Sequence, residues 1–224
     1  FLTRMYQELK KWDSTRLYIC NAGYGLGKSA DIYDVHRYWG WYYNSFLTYL
    51  NMRDKAMWQN PGKVQPITFT ECVGNYTGID GRFNLCSRTK QPGSQKCWTG
   101  HLPDAEQAEA AMAYQAFVLK NATELFRRLR SQNDCLAGTI VFHHWDGVSS
   151  FAEMKPKPVA RQYQLSYQPI LLSWENWQSQ VYAGKKLSVV AHVVNDDDYG
   201  NGLSNARLHW WIEHEGKKVI SGEN

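Results

Sequence analysis

The spacing of apolar positions changes several times along this chain, and each change predicts an element. Residues 3–12 carry Met5, Leu9 and Trp12 at helical spacing, and Asp13-Ser14-Thr15 breaks the pattern. Residues 16–20 then form a short apolar run that reads as a strand, followed by a Gly-rich turn over 21–28. Residues 31–36 and 65–70 repeat the strand pattern. Between them, residues 43–57 are helical in period and close on Asn60-Pro61-Gly62. Residues 104–130 give the clearest helix, with Asp104, Glu106 and Glu109 in its first part and Arg127, Arg128 and Arg130 at its end, as the macrodipole favours. Residues 137–142 form a fourth strand, and the polar stretch 75–103 is too long for a simple connection. Short apolar strands alternating with helices predict a parallel sheet, with ligand chemistry at the strand C-terminal ends.

The pattern changes after residue 155. Lys155-Pro156-Lys157-Pro158 reads as a junction, and strand-like runs follow over 168–174, 186–195 and 207–215. Leu187, Val189, Ala191 and Val193 alternate with their neighbours as on a half-buried strand. Asp196-Asp197-Asp198-Tyr199-Gly200 reads as a solvated turn, and Glu215-Gly216-Lys217-Lys218 as a hairpin turn. These runs predict the start of a β-sandwich after the α/β region.

Composition narrows the function classes. The 224 residues are 43% hydrophobic, enough for a core, and 25 Lys+Arg against 21 Asp+Glu leave only +4. That interspersed charge argues against a nucleic-acid arm or a disordered chain. No stretch reaches ~18 apolar residues, the length of a membrane helix. Ten Trp, 14 Tyr and 8 Phe raise the aromatic content to 14%, which suits either a dense core or flat faces for sugar stacking. The five cysteines contain no Cys-x-x-Cys pair, and Cys86 and Cys97 lie close enough in one loop for a disulfide or for two free thiols. No cofactor or metal is expected: His143 and His144 lack a third ligand at a suitable spacing.

Ala22-Gly23-Tyr24-Gly25-Leu26-Gly27-Lys28-Ser29 approaches a phosphate-binding loop. Such a loop must open a helix, whose N-terminal amides hold the phosphates. Here a strand pattern follows at once, and the stretch is read as a βα loop.

Three chemistry-bearing stretches fall at predicted strand ends: Asp34 to Tyr43, Thr70-Glu71-Cys72-Val73-Gly74, and His143-His144-Trp145-Asp146-Gly147. Glu71 directly follows an apolar strand, where a carboxylate is costly unless it is paired or functional. Ringed by His and aromatic residues, it can attack or stabilise an oxocarbenium-like anomeric carbon. His36 and Tyr38 are candidates for orienting it or for contacting sugar hydroxyls. Trp39 and Trp145 are candidates for sugar stacking, and Asp34 for hydrogen bonding to substrate. A satisfied core pair is the alternative for His36 and Tyr38, with the orienting or hydroxyl-contact role favoured over it, and Trp39, Trp41 and Tyr42 cannot all face inward on one strand.

At these residues the sequence resembles glycoside hydrolase family 2, the family of β-galactosidases, β-glucuronidases and β-mannosidases. Asp34…His36-Arg37-Tyr38-Trp39-Gly40-Trp41-Tyr42 and Pro66-Ile67-Thr68-Phe69-Thr70-Glu71…Gly74 look like its sixth and seventh barrel strands. Trp12-Asp13-Ser14-Thr15-Arg16 resembles the segment before its fifth strand, and residues 137–146 resemble its eighth. The resemblance implies an α/β fold: the C-terminal half of a (β/α)8 TIM barrel over 1–158, then a partial immunoglobulin-like β-sandwich over 159–224. It implies a retaining exo-acting β-glycosidase with Glu71 as nucleophile and a glycoside or oligosaccharide as substrate, with no nucleic-acid or membrane partner. The family's acid/base is the Glu of an Asn-Glu pair after the fourth strand. No such pair precedes the β-region here, so the acid/base is expected upstream of Phe1, in the rest of a parent polypeptide. Cys72 stands where an aromatic often follows the nucleophile, and Val73 lengthens the spacing to Gly74. The alternative is a carbohydrate-binding or scaffold protein that kept the barrel without catalysis. A periplasmic or secreted location is favoured by analogy with polysaccharide degraders.

Overall fold

A computed structural model describes residues 1–20, 29–37, 65–72, 77–82, 104–130, 136–141, 148–150, 152–176, 181–197 and 199–223. Helices and small sheets mix within it, in two compact units, Phe1–Val194 and Asn195–Asn224.

In the first unit, helix α1 spans Leu2–Trp12 and ends where Asp13 folds back on the chain. The Asp13 carboxylate accepts from the Thr15 hydroxyl at 2.6 Å and the Thr15 N–H at 2.8 Å, an arrangement that competes with further helix. Those two bonds hold the Asp13 carboxyl below its ordinary range. Strand β1 is short, Ile19–Cys20, and β2 runs over Ile32–Arg37. Asp31 ties this beginning together. It accepts from Tyr6 Oη at 2.7 Å and the Tyr18 N–H at 2.8 Å, and pairs with Lys10 at 2.9 Å. Burial pushes its carboxyl up, but the Tyr18, Lys10 and Tyr6 donors outweigh that and leave it below the ordinary value.

Strand β3, Ile67–Cys72, and β4, Leu136–Val141, complete a four-stranded sheet in the order β1-β2-β3-β4. All three pairings are parallel. A sheet of this kind needs a cover on its apolar face. Helix α2, Asp104–Arg130, supplies it, and Phe69 meets Phe126 edge-on at 5.8 Å. Ile67, Leu119, Leu125 and Leu136 are buried with them.

The strand expected after Ser29 is present as β2, so no helix N-terminus stands there for a phosphate loop. Other expectations from sequence are altered. Glu71 lies inside β3 rather than just beyond it. Arg127 and Arg128 are buried: Arg127 donates to the carbonyls of Ser166 and Pro169 at 2.7 and 3.0 Å. Arg128 donates to Ser173 Oγ, which donates in turn to Glu124 at 2.7 Å. The end of α2 is therefore held by specific acceptors as well as by the macrodipole.

Residues 155–158 do not form a free junction either. Val148–Ser150 (β5) pairs antiparallel with Lys155–Pro156 (β6), and Lys157 turns inward to Thr77, its Nζ 2.9 Å from the Thr77 carbonyl oxygen. Helix α3, Pro158–Ser166, then packs on α2. Pro158 thus stands at the first position of a helix. Ile170–Glu175 (β7) pairs with Val190–Asn195 (β8). Leu171 and Ser173 are buried while Ile170, Leu172 and Trp174 face out. On β8 Val194 is buried and Val193 exposed, so the predicted inward face is displaced by one residue there.

In the second unit, His209–His214 (β9) and Lys217–Glu223 (β10) form an antiparallel hairpin. Its turn is Glu215-Gly216, both with positive φ, as a two-residue loop of this twist requires. Lys217 and Lys218 belong to the strand, not to the turn.

Candidate functional site

The site is built where β2 and β3 run side by side. Tyr33 pairs with Ile67 and Asp34 with Thr68, but the next pair is His36 with Glu71. Two steps along β2 therefore match three along β3: a β-bulge with its extra residue in β3. Without it Glu71 would follow Ile67 and Phe69 onto the face covered by α2. The bulge changes the parity. Thr68, Thr70 and Glu71 are all partly exposed, and Cys72 returns to the buried face.

The bulge also interrupts the backbone ladder, and Asp34 takes up a donor. Its Oδ1 accepts from the Thr70 N–H at 3.0 Å and from Thr68 Oγ1 at 3.1 Å. Its Oδ2 accepts from Thr70 Oγ1 at 2.6 Å and lies 3.1 Å from His36 Nε2. Asp34 is 1% exposed, and these contacts are what make its burial tolerable. His36, two residues on and therefore on the same face, turns its Nδ1 to Glu71 Oε2 at 3.0 Å. The Glu71 side chain is 28% exposed. A chain of contacts thus runs from a buried carboxylate through one imidazole to an accessible carboxylate at the C-terminal end of a parallel strand. Such an arrangement fixes the direction and the charged surroundings of Glu71. It suits a carboxylate used as a nucleophile or electrostatic stabiliser.

Of the residues singled out in the sequence, the structure brings together Asp34, His36 and Glu71. Tyr38, Trp39 and Trp145 lie outside the described residues, as do His143, His144, Asp146 and the Cys86–Cys97 pair. Thr68 and Thr70 were not singled out. Their signal was available: two hydroxyls at i and i+2 on one strand face, just ahead of the carboxylate. Cys72, next to Glu71, is buried.

A weak structural likeness accompanies this geometry. The crystal structure of Parabacteroides merdae β-glucuronidase is similar over 77% of this chain, at 14% identity and a TM-score of 0.36. This chain spans 24% of that protein's length. No protein-family model and no curated protein matches the chain.

Proposed function

We propose that this chain carries the nucleophile side of a retaining β-glycosidase site, with Glu71 as the attacking carboxylate. The observation that carries the reading is the His36 contact to Glu71 at 3.0 Å, backed by Asp34 and set at the C-terminal end of a parallel strand. The sequential parallel order of β1 to β4 supports half of a (β/α)8 barrel as the setting, with a partial β-sandwich after it. In the reaction a Glu71 oxygen bonds to the anomeric carbon as the glycosidic C–O bond breaks. The leaving oxygen takes a proton from an acid, and water then cleaves the glycosyl ester. The acid/base is assigned to a carboxylate outside residues 1–224, ~5–5.5 Å from Glu71 in the assembled site. Tyr38, Trp39 and Trp145 are assigned to sugar contact from the sequence resemblance alone.

Azide identifies the nucleophile by stereochemistry. In the intact protein, Glu71→Ala is expected to lose turnover of a dinitrophenyl β-glycoside, whose leaving group needs no acid. Added azide is expected to restore release and yield the α-glycosyl azide, since azide attacks from the vacated side. A β-glycosyl azide, or unchanged turnover in the variant, would remove Glu71 from that role.

A further inference from the structure

We infer that Asp34 is a positioning residue: acting through His36, it holds the ring against Glu71. The inference rests on the nucleophile reading above and assigns Asp34 to the nucleophile rather than to a sugar hydroxyl. The ring stands between two carboxylates, Nε2 3.1 Å from Asp34 and Nδ1 3.0 Å from Glu71. A neutral imidazole has one N–H, so it can donate to one of them only and turns a lone pair on the other. With a proton on each nitrogen, both contacts are hydrogen bonds and both are charge-assisted.

The Thr70 N–H and the hydroxyls of Thr68 and Thr70 converge on the Asp34 oxygens together with the ring. These contacts fix the carboxylate, 1% exposed, directly behind Nε2. Asp34 therefore holds the ring in one orientation, and the ring sets the position of Glu71 Oε2. The bulge in β3 is what makes the relay possible, since it sets Glu71 rather than Thr70 opposite His36.

The test is the rate at which 2-deoxy-2-fluoro-β-glycosyl fluorides label Glu71 in the intact protein, followed against inhibitor concentration. In that step the anomeric C–F bond breaks, fluoride leaves with the electron pair and the Glu71 ester forms. No acid takes part, so the rate reports the nucleophile side alone. Asp34→Asn is expected to label roughly 10- to 100-fold more slowly at saturation, the worth of a hydrogen bond to a charged group, with the half-saturating concentration little changed. In a His36→Gln background, where the link to Glu71 is already cut, adding Asp34→Asn is expected to slow labelling less than about twofold further. Circular dichroism checks that each variant is folded, and if Asp34→Asn is not, the His36→Gln rate decides alone. Labelling of Asp34→Asn at the wild-type rate, the same fold loss from Asp34→Asn in the His36→Gln background, or wild-type labelling by His36→Gln overturns the inference while leaving Glu71 the nucleophile. Labelling elsewhere in the wild-type protein overturns both.

Discussion

The parallel sheet and the C-terminal hairpin hold similar residues and treat them in opposite ways. In the sheet Phe69 is 0% exposed, sealed by Phe126 of α2. In the hairpin Trp211 is 50% and Ile220 55% exposed. The hairpin holds its shape by local means: the Glu215-Gly216 turn, Lys218 over the Trp211 ring at 4.2 Å, and Trp210 laid over Gly222 across the strands. The sheet holds its shape by long-range packing. The difference teaches where chemistry can be built. A carboxylate such as Asp34 can be fixed by Thr68, Thr70 and His36 only where a packed layer already fixes those residues.

Substitutions can break this contrast, and the largest effect is expected in the sheet. Phe69→Ala removes the ring that meets Phe126, and is expected to cost about 3–5 kcal/mol in chemical denaturation. A loss below ~1 kcal/mol would mean that α2 does not seal the sheet. Arg128→Met comes next. It removes the Arg128 donor from Ser173 Oγ, which keeps its own bond to Glu124, and is expected to cost about 2 kcal/mol, measured the same way.

Asp31 gives a smaller and pH-dependent effect. Its carboxyl is depressed in the folded chain, so its contribution is present above the ordinary Asp value of about 3.9 and is lost as pH falls through the folded value. Asp31→Asn is expected to cost about 1–2 kcal/mol near neutrality and to flatten the acid limb of stability. An unchanged limb would show that other carboxylates set it. The hairpin should respond least. A Cβ on Gly222 would come 2.6 Å from the Trp210 ring, so Gly222→Ala must displace that ring. The expected cost is at most about 1 kcal/mol, with a shift in Trp emission as the sensitive readout.

The same contrast explains what the sequence disclosed. The strands of the parallel sheet and helix α2 were legible because their apolar periods answer to a real buried layer. Glu71 stood out because a carboxylate at the end of an apolar strand needs a reason to be there. The bulge was not legible. It adds one residue to β3 with no Gly or Pro to announce it, and it alone turns Glu71 toward His36. The role of Thr68 and Thr70 was hidden for the same reason, since a hydroxyl acquires a partner only once the register is known. The face of β8 was misread because alternation predicts an inward side only where a second layer covers it, and Val193 is exposed while Val194 is buried. The macrodipole accounted for basic residues at the end of α2, but not for the acceptors of Arg127 and Arg128 at Ser166, Pro169 and Ser173, some 40 residues away in sequence.

The most direct measurement is a peptide map of the intact protein after trapping with 2-deoxy-2-fluoro-β-glycosyl fluorides of the gluco, galacto, manno and glucurono series. The account predicts one glycosyl ester, on Glu71. A glycosyl ester on another residue, or turnover of β-glycosides with no trapped ester on Glu71, would contradict it.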